Sequence, residues 1–258
     1  MADAPHNRPR RKLSGAIENA PVPPVSPVSA DDDDAAPVPP AREYTTLTQS
    51  VFRLNLAHAE VQRDLLDCQA MHRRVMRMFA HVNAPRDVNE ILYRIDRNGP
   101  HWDLIVQSVA LADPQVLPAG YVTATVRHRS DMLADLQQVQ VGQRLLFGLV
   151  ANVSKRDNES RKRITVRGFA AQRDWLLRKG LDHGFALVED DTALVPLAIE
   201  AESALVGNHR NGSLLFVPVR FSGTLTVTHP QVLVQAVVQG IGSAKAYGCG
   251  LLTVRDVG

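Results

Sequence analysis

Three groups of residues in this chain have types and spacings that can do chemistry. The first is Gln69, Met71, His72, Arg73, Arg74 and Arg77. On a helix His72 falls beside Met71, at the rim of an apolar stripe made by Met71, Val75, Met78, Phe79 and Val82. Gln69 is its i−3 neighbour on the same flank. A histidine titrates near neutral pH, so one set among arginines can move a proton while the cations hold a phosphate. The same residue also fits a plainer part, as an amphipathic spacer. Cys68 and His72 have the i, i+4 spacing of half a metal site, but no second pair of ligands accompanies them, and a zinc site is rejected.

The second group is Lys155, Arg156, Arg161, Lys162, Arg163 and Arg167, the first five within nine residues around a polar loop. A cationic hairpin attracts a nucleic-acid backbone, with affinity that falls as salt rises; composition alone allows a solvated loop equally well. The third is Gly240–Leu252, GIGSAKAYGCGLL, with Gly240, Gly242, Gly248, Gly250 and the cation Lys245. Glycines admit positive φ and let backbone N–H groups approach a phosphate closely. The dinucleotide and P-loop fingerprints both fail here, because Lys245 stands where a glycine is needed and no Gly-Lys-Ser/Thr follows. A turn that only packs between helix and strand is the alternative.

The elements that position these groups read as an α+β chain. Ser50–Ala57 is a strand pattern, followed by a helix capped at Asp67 and running from Cys68 to about Val82. Strands at Ile91–Asp96 and Leu104–Val109, a short turn or helix at Asp113–Leu117 and a strand at Tyr121–Arg127 complete a βαββαβ order, the ferredoxin-like pattern. After a polar stretch, Ser130–Gln140, the pattern restarts. Arg144–Ala151 is a strand, the basic loop leads to Ile164–Arg167, and a helix at Ala170–Lys179 ends where Gly180 suits a C′ position. Strands at Phe185–Val188, Leu214–Val219 and Gly223–Val227, a helix at Pro230–Val238, the glycine stretch and a strand at Leu251–Val254 follow. The organisation expected is a disordered tail over 1–46 and two units, 47–129 and 130–258.

That tail holds nine of the sixteen prolines, the run Asp31–Asp34 and few large apolar residues, too little to offset ordering entropy. It takes five of the 29 Lys/Arg and seven of the 27 Asp/Glu, so the remainder carries an excess of about four positive charges. Two distant cysteines without a CxxC pair argue against a disulfide framework and for a reducing compartment. No apolar run approaches membrane-spanning length, and the arginines near the N-terminus are not followed by a signal-peptide core. A cytoplasmic protein without membrane contact is expected.

Taken together, Leu65–Phe79, Val141–Arg163, Trp175–Gly180 and Gly240–Leu252 resemble, in order and spacing, the CasE family, the CRISPR repeat-processing endoribonucleases of type I-E systems. The resemblance covers about residues 50–255. It implies two tandem RRM-like, ferredoxin-fold domains and selective binding of a CRISPR repeat RNA hairpin. It implies one cut at the base of the stem, by attack of the upstream 2′-hydroxyl, with no metal ion or other cofactor. The products are a 2′,3′-cyclic phosphate or 3′-phosphate and a 5′-hydroxyl. The family's catalytic histidine maps onto His72, with Arg73 and Arg77 as its basic neighbours. Its cationic hairpin maps onto Lys155–Arg163, Lys162 and Arg163 being best placed for the stem, and the glycine loop with Lys245 lies near the RNA. Relatives commonly stay on the product within the Cascade surveillance complex. One departure matters: the family usually has tyrosine three residues before the histidine, where this chain has Gln69. An amide hydrogen-bonds but exchanges no proton at useful pH. Tyr247 in the glycine loop is a conceivable substitute, and a subunit that caps the hairpin without cutting it is the competing reading.

Overall fold

The computed structural model describes residues 42–80, 82, 90–157, 162–209 and 212–256. Most of the expected tail, with Arg8, Arg10, Arg11, Lys12 and Asp31–Asp34, lies outside them, as does Arg161. The residues just before the first strand are tied down. Arg42 pairs with Glu90 at 2.9 Å, and Gln235 Nε2 donates to the Arg42 carbonyl at 2.8 Å. Tyr44 donates to Glu90 and accepts from Gln239, each at 3.0 Å.

The first antiparallel sheet contains β1 (Thr48–Leu54), β2 (Leu92–Asn98), β3 (His101–Ser108) and β4 (Val122–Arg129) in the order β2-β3-β1-β4. That is the ferredoxin-like order expected. Alternation along the strands gives this sheet two buried faces. Phe52, Tyr93, Leu104 and Val106 pack with Met71, Val75 and Met78. Val51, Leu92 and Ile105 face the other way and pack with Leu251. The helical layer differs from expectation. A first helix, α1 (Ala59–Leu66), precedes α2 (Cys68–Arg77), which stops five residues short of Val82. His58 and Asp67 cap the two helices, Asp67 Oδ1 accepting the Gln69 N–H at 2.9 Å. The second crossover is only a 3-10 turn, Pro114–Val116.

The second sheet repeats the order as β13-β5-β12-β8. Its strands are β5 (Arg144–Ala151), β8 (Phe185–Val188), β12 (Val219–Val227) and β13 (Leu252–Asp256). A short β9 (Ala198–Ala201) takes the half of β12's edge that β8 leaves free. β12 is a nine-residue strand that extends the one expected at Gly223–Val227 back to Val219, while the strand expected at Leu214–Val219 falls mostly on a separate one, Gly212–Phe216. Two hairpins are inserted: β6 (Ser154–Arg156) with β7 (Arg163–Thr165), and β10 (Leu205–His209) with β11 (Gly212–Phe216). The stretch expected to be polar and irregular holds α3 (Met132–Gln137), which buries Met132, Leu133 and Leu136. The helix α4 (Phe169–Asp182) runs through Gly180 rather than ending there. A Cβ at 180 would stand 2.7 Å from the Phe185 carbonyl, so this glycine serves close packing, not a C′ turn. The helix α5 (Pro230–Gln239) starts on its proline and ends on Gly240.

The two sheets are locked together through the polar positions of the first sheet's second face. Arg94 Nη1 donates to the carbonyls of Gly148 and Leu251, both at 3.1 Å. Asp96 pairs with Arg220 at 2.9 Å, and the buried Gln107 Nε2 donates to the Val237 carbonyl at 2.7 Å. Among the described residues no helix is long and apolar enough to cross a membrane.

Candidate active site

The helix α2 buries Cys68, Met71, Arg74 and Val75 and leaves Arg73 and Arg77 exposed. His72 is half-buried between these faces, on the rim where the spacing puts it. Arg74 is not one of the exposed cations. Its Nε donates to Asp64 at 2.7 Å, it pairs with Glu60, and its guanidinium lies 5.0 Å from the Tyr121 ring centroid. The Tyr121 hydroxyl donates to the same Asp64 oxygen at 3.0 Å. This buried network clamps α1 to α2 and so fixes the helix that carries His72.

The flank of α2 bearing Gln69 and His72 is covered from the other half of the chain. The Tyr247 hydroxyl donates to Gln69 Oε1 at 3.1 Å. The Tyr247 and His72 rings meet edge to face, centroids 5.9 Å apart at 63°. Phe216 of β11 stacks on Tyr247 at 5.2 Å and 24°. Gly207 of β10 lies so close to the helix start that a Cβ there would be 2.8 Å from Cys68 Sγ. Burial, with the nearby Asp67 charge, pushes the Cys68 thiol up to about 11. A neutral thiol is a poor metal ligand, and no cluster of three or more His, Cys, Asp or Glu suited to a metal occurs among the described residues.

The glycine stretch is a tightly folded turn between the halves. Gly240, Gly242, Gly248 and Gly250 all have positive φ, near +80°. The N–H groups of Gly240 and Gly250 donate to the Ala236 and Val150 carbonyls at 2.9 and 2.7 Å, so these two amides hold the loop itself. Added Cβ atoms would meet Leu92 at Gly240, Trp175 at Gly242 and Tyr93 at Gly248. The packing alternative therefore describes these glycines well, and the loop's gift to the site is Tyr247. Lys245 folds back toward Gly250. Its charge joins that of Lys179 in lowering the pKa of His183, after burial, which is the main cause.

The basic loop is a two-stranded hairpin that pairs Arg156 directly with Arg163 and Lys155 with Ile164. Lys155, Arg156, Lys162 and Arg167 are exposed, while Arg163 is half-buried with Nη1 donating to Ser154 at 3.4 Å. This register sets two arginine side chains opposite each other on one face of the hairpin. The root of this hairpin is joined to the glycine turn, where Asn152 Nδ2 donates to Ser243 Oγ at 3.1 Å. Thus the helix of His72, the glycine turn and the cationic hairpin are linked in series. Sequence reasoning placed a strand over Leu214–Val219, which overlaps β11, but missed β10 with Gly207, the hairpin pairing and the part Phe216 plays beside Tyr247.

This architecture has known relatives. The family model described as CRISPR associated protein matches residues 49–256. The chain belongs to that family. Among its members the chain is 29% identical over 208 residues to the CRISPR-associated endoribonuclease Cse3 of Thermus thermophilus, covering 78% of this chain and 96% of that protein. It is 30% identical over 204 residues to the CRISPR system Cascade subunit CasE of Escherichia coli, covering 74% and 93%. This CRISPR associated protein is thus of the CasE type. In three dimensions it is similar to Thermus thermophilus Cse3 bound to an RNA representing a pre-cleavage complex. That likeness has a TM-score of 0.70 and 26% identity, covering 81% of this chain and 99% of that one. The Escherichia coli protein Cas6e shares the fold with a TM-score of 0.58 at 24% identity, covering 82% and 100%.

Proposed function

We propose that this protein is the endoribonuclease that processes CRISPR repeat RNA and then stays with the product as a Cascade subunit in the cytoplasm. The observation that carries the reading is the setting of His72. It stands half-buried on a rigidly clamped helix, flanked by exposed Arg73 and Arg77. The relatives of this fold include a protein named as an endoribonuclease and a structure with RNA in a pre-cleavage complex. The halves divide the work. Residues 47–129 supply the catalytic helix, and residues 130–258 supply the cationic hairpin and glycine turn; residues 1–46 form the tail.

Duplex RNA offers a protein its phosphates and its shape more than its base edges, so Lys155, Arg156, Arg161, Lys162 and Arg163 track the stem backbone. The glycine turn with Lys245 lies at the stem base. There the 2′-hydroxyl, phosphorus and 5′-oxygen are held in line, the alignment that the attack requires. Arg73 and Arg77 stabilise the charge growing on the phosphate. His72 protonates the departing 5′-oxygen, the proton of the attacking 2′-hydroxyl passes to water, and Gln69 hydrogen-bonds the reacting groups. Proton transfer and charge stabilisation by side chains suffice for this transesterification, so no metal ion is required. Incubation of a cognate repeat RNA with excess EDTA, followed by end analysis, tests this. The expected products carry a 2′,3′-cyclic phosphate or 3′-phosphate and a 5′-hydroxyl. A 3′-hydroxyl with a 5′-phosphate, or cleavage that needs a divalent ion, would overturn it.

A further inference from the structure

The reaction just described makes no use of Tyr247, yet the fold goes to some length to place it. The 3-10 turn Lys245–Tyr247 opens from Ala244, a non-glycine residue held at φ +60°. Such backbone is costly and persists only where its surroundings impose it. The Tyr247 N–H donates to the Ala244 carbonyl at 2.9 Å, and the Tyr93 hydroxyl donates to the neighbouring Ala246 carbonyl at 3.0 Å. Phe216, from an inserted hairpin, stacks on the ring. Contacts from both halves of the chain thus aim one tyrosine at the flank of α2.

We propose that Tyr247 is a positioning residue for the cleavage, which sets the geometry of Gln69 and His72 from the opposite half of the molecule. This rests on the functional reading above. Two contacts do the positioning. The hydroxyl proton goes to Gln69 Oε1, so the amide is turned with its acceptor end committed to Tyr247. Its NH₂, which only donates, is then the end available to a phosphate or ribose oxygen. The edge-to-face contact restricts rotation of the His72 imidazole. Both effects act on orientation, so they belong to the rate of the chemical step rather than to RNA affinity.

The test is single-turnover cleavage and hairpin affinity for the parent, Tyr247→Phe, Tyr247→Leu, Gln69→Ala and the double variant Tyr247→Phe/Gln69→Ala. Tyr247→Phe keeps the stack on Phe216 and loses one ordinary hydrogen bond. Its rate is expected to fall roughly 2- to 10-fold with affinity unchanged. Tyr247→Leu, which also loses the edge-to-face contact with His72, is expected to fall further, again in rate and not in affinity. On a Gln69→Ala background, Tyr247→Phe should cost nothing more, because the hydroxyl acts through Gln69. Parental rates in both Tyr247 variants would overturn the proposal and leave the nuclease standing. Losses that multiply in the double variant, or that fall wholly on affinity, would also overturn it, by making Tyr247 a direct participant or an RNA contact. Should the leucine variant fail to fold, the phenylalanine and double variants decide the matter. A parent that cuts no repeat RNA removes the functional reading and this one with it.

Discussion

His72 and Arg74 are two residues apart, and the fold gives them opposite roles. Arg74 lies on the same helical stripe as Met71 and Met78, so it is carried into the core, where Asp64, Glu60 and Tyr121 receive it. Removing one partner of a buried ion pair strands the other charge. Arg74→Met is therefore expected to lower stability by about 3–5 kcal/mol in urea titration, whereas Arg73→Met, on the exposed face, should stay within about 0.5 kcal/mol. Equal losses would contradict the assignment. At this scale 3.6-residue periodicity sets His72 at the rim of the stripe, where the structure has it, whereas Arg73 and Arg77 were singled out among the arginines through the family resemblance. Arg74 was readable by the same rule, but grouping the arginines by charge hid it. The Tyr247–Gln69 contact was out of reach, because it joins residues 178 positions apart and depends on how the halves dock.

Among the elements, long strands and helices with a strong period were legible, and β5 has the bounds expected, Arg144–Ala151. The short ones were not. β9 and β10 have four and five residues, too few for a period to emerge, and they exist because β12 and α2 offer them an edge and a face. Gly180 misled for a related reason: a glycine near a helix end marks a C′ turn only where tertiary packing has no other use for it. The β6–β7 hairpin has pairing that a run of cations in sequence cannot reveal. Its function makes a distinct demand. Lys162→Ala with Arg163→Ala should weaken hairpin binding and lower the log–log salt slope by about one to two units, as expected for two phosphate contacts. An unchanged affinity and slope would make the hairpin a solvated surface.

At the scale of the whole molecule, the two ferredoxin-like halves were legible as a repeated order of elements, but their interface was not. It rests on positions such as Arg94, Asp96 and Gln107, polar side chains on a strand face that reads as solvent-exposed until a second sheet covers it. Burial alone would raise the Asp96 carboxyl, but Arg94 and Arg220 outweigh it and hold the group below its ordinary 3.8. A carboxylate with a lowered folded pKa adds stability above its unfolded value and loses it as pH falls through the folded value. Asp96→Asn should therefore be less stable than the parent at neutral pH, with the gap in urea midpoint closing as pH drops below about 4. A gap independent of pH would show that the charge plays no part in the docking.

The halves must dock for the account as a whole to hold, because the helix proposed to be catalytic and the elements proposed to bind RNA come from different ones. The most direct measurement is single-turnover cleavage of a cognate repeat hairpin by His72→Ala, with RNA affinity measured alongside. Loss of one positioned proton-transfer group should slow cleavage by about 10²–10⁴ while the hairpin binds as before. A variant that cuts at the parental rate would contradict the assignment of the chemistry to His72.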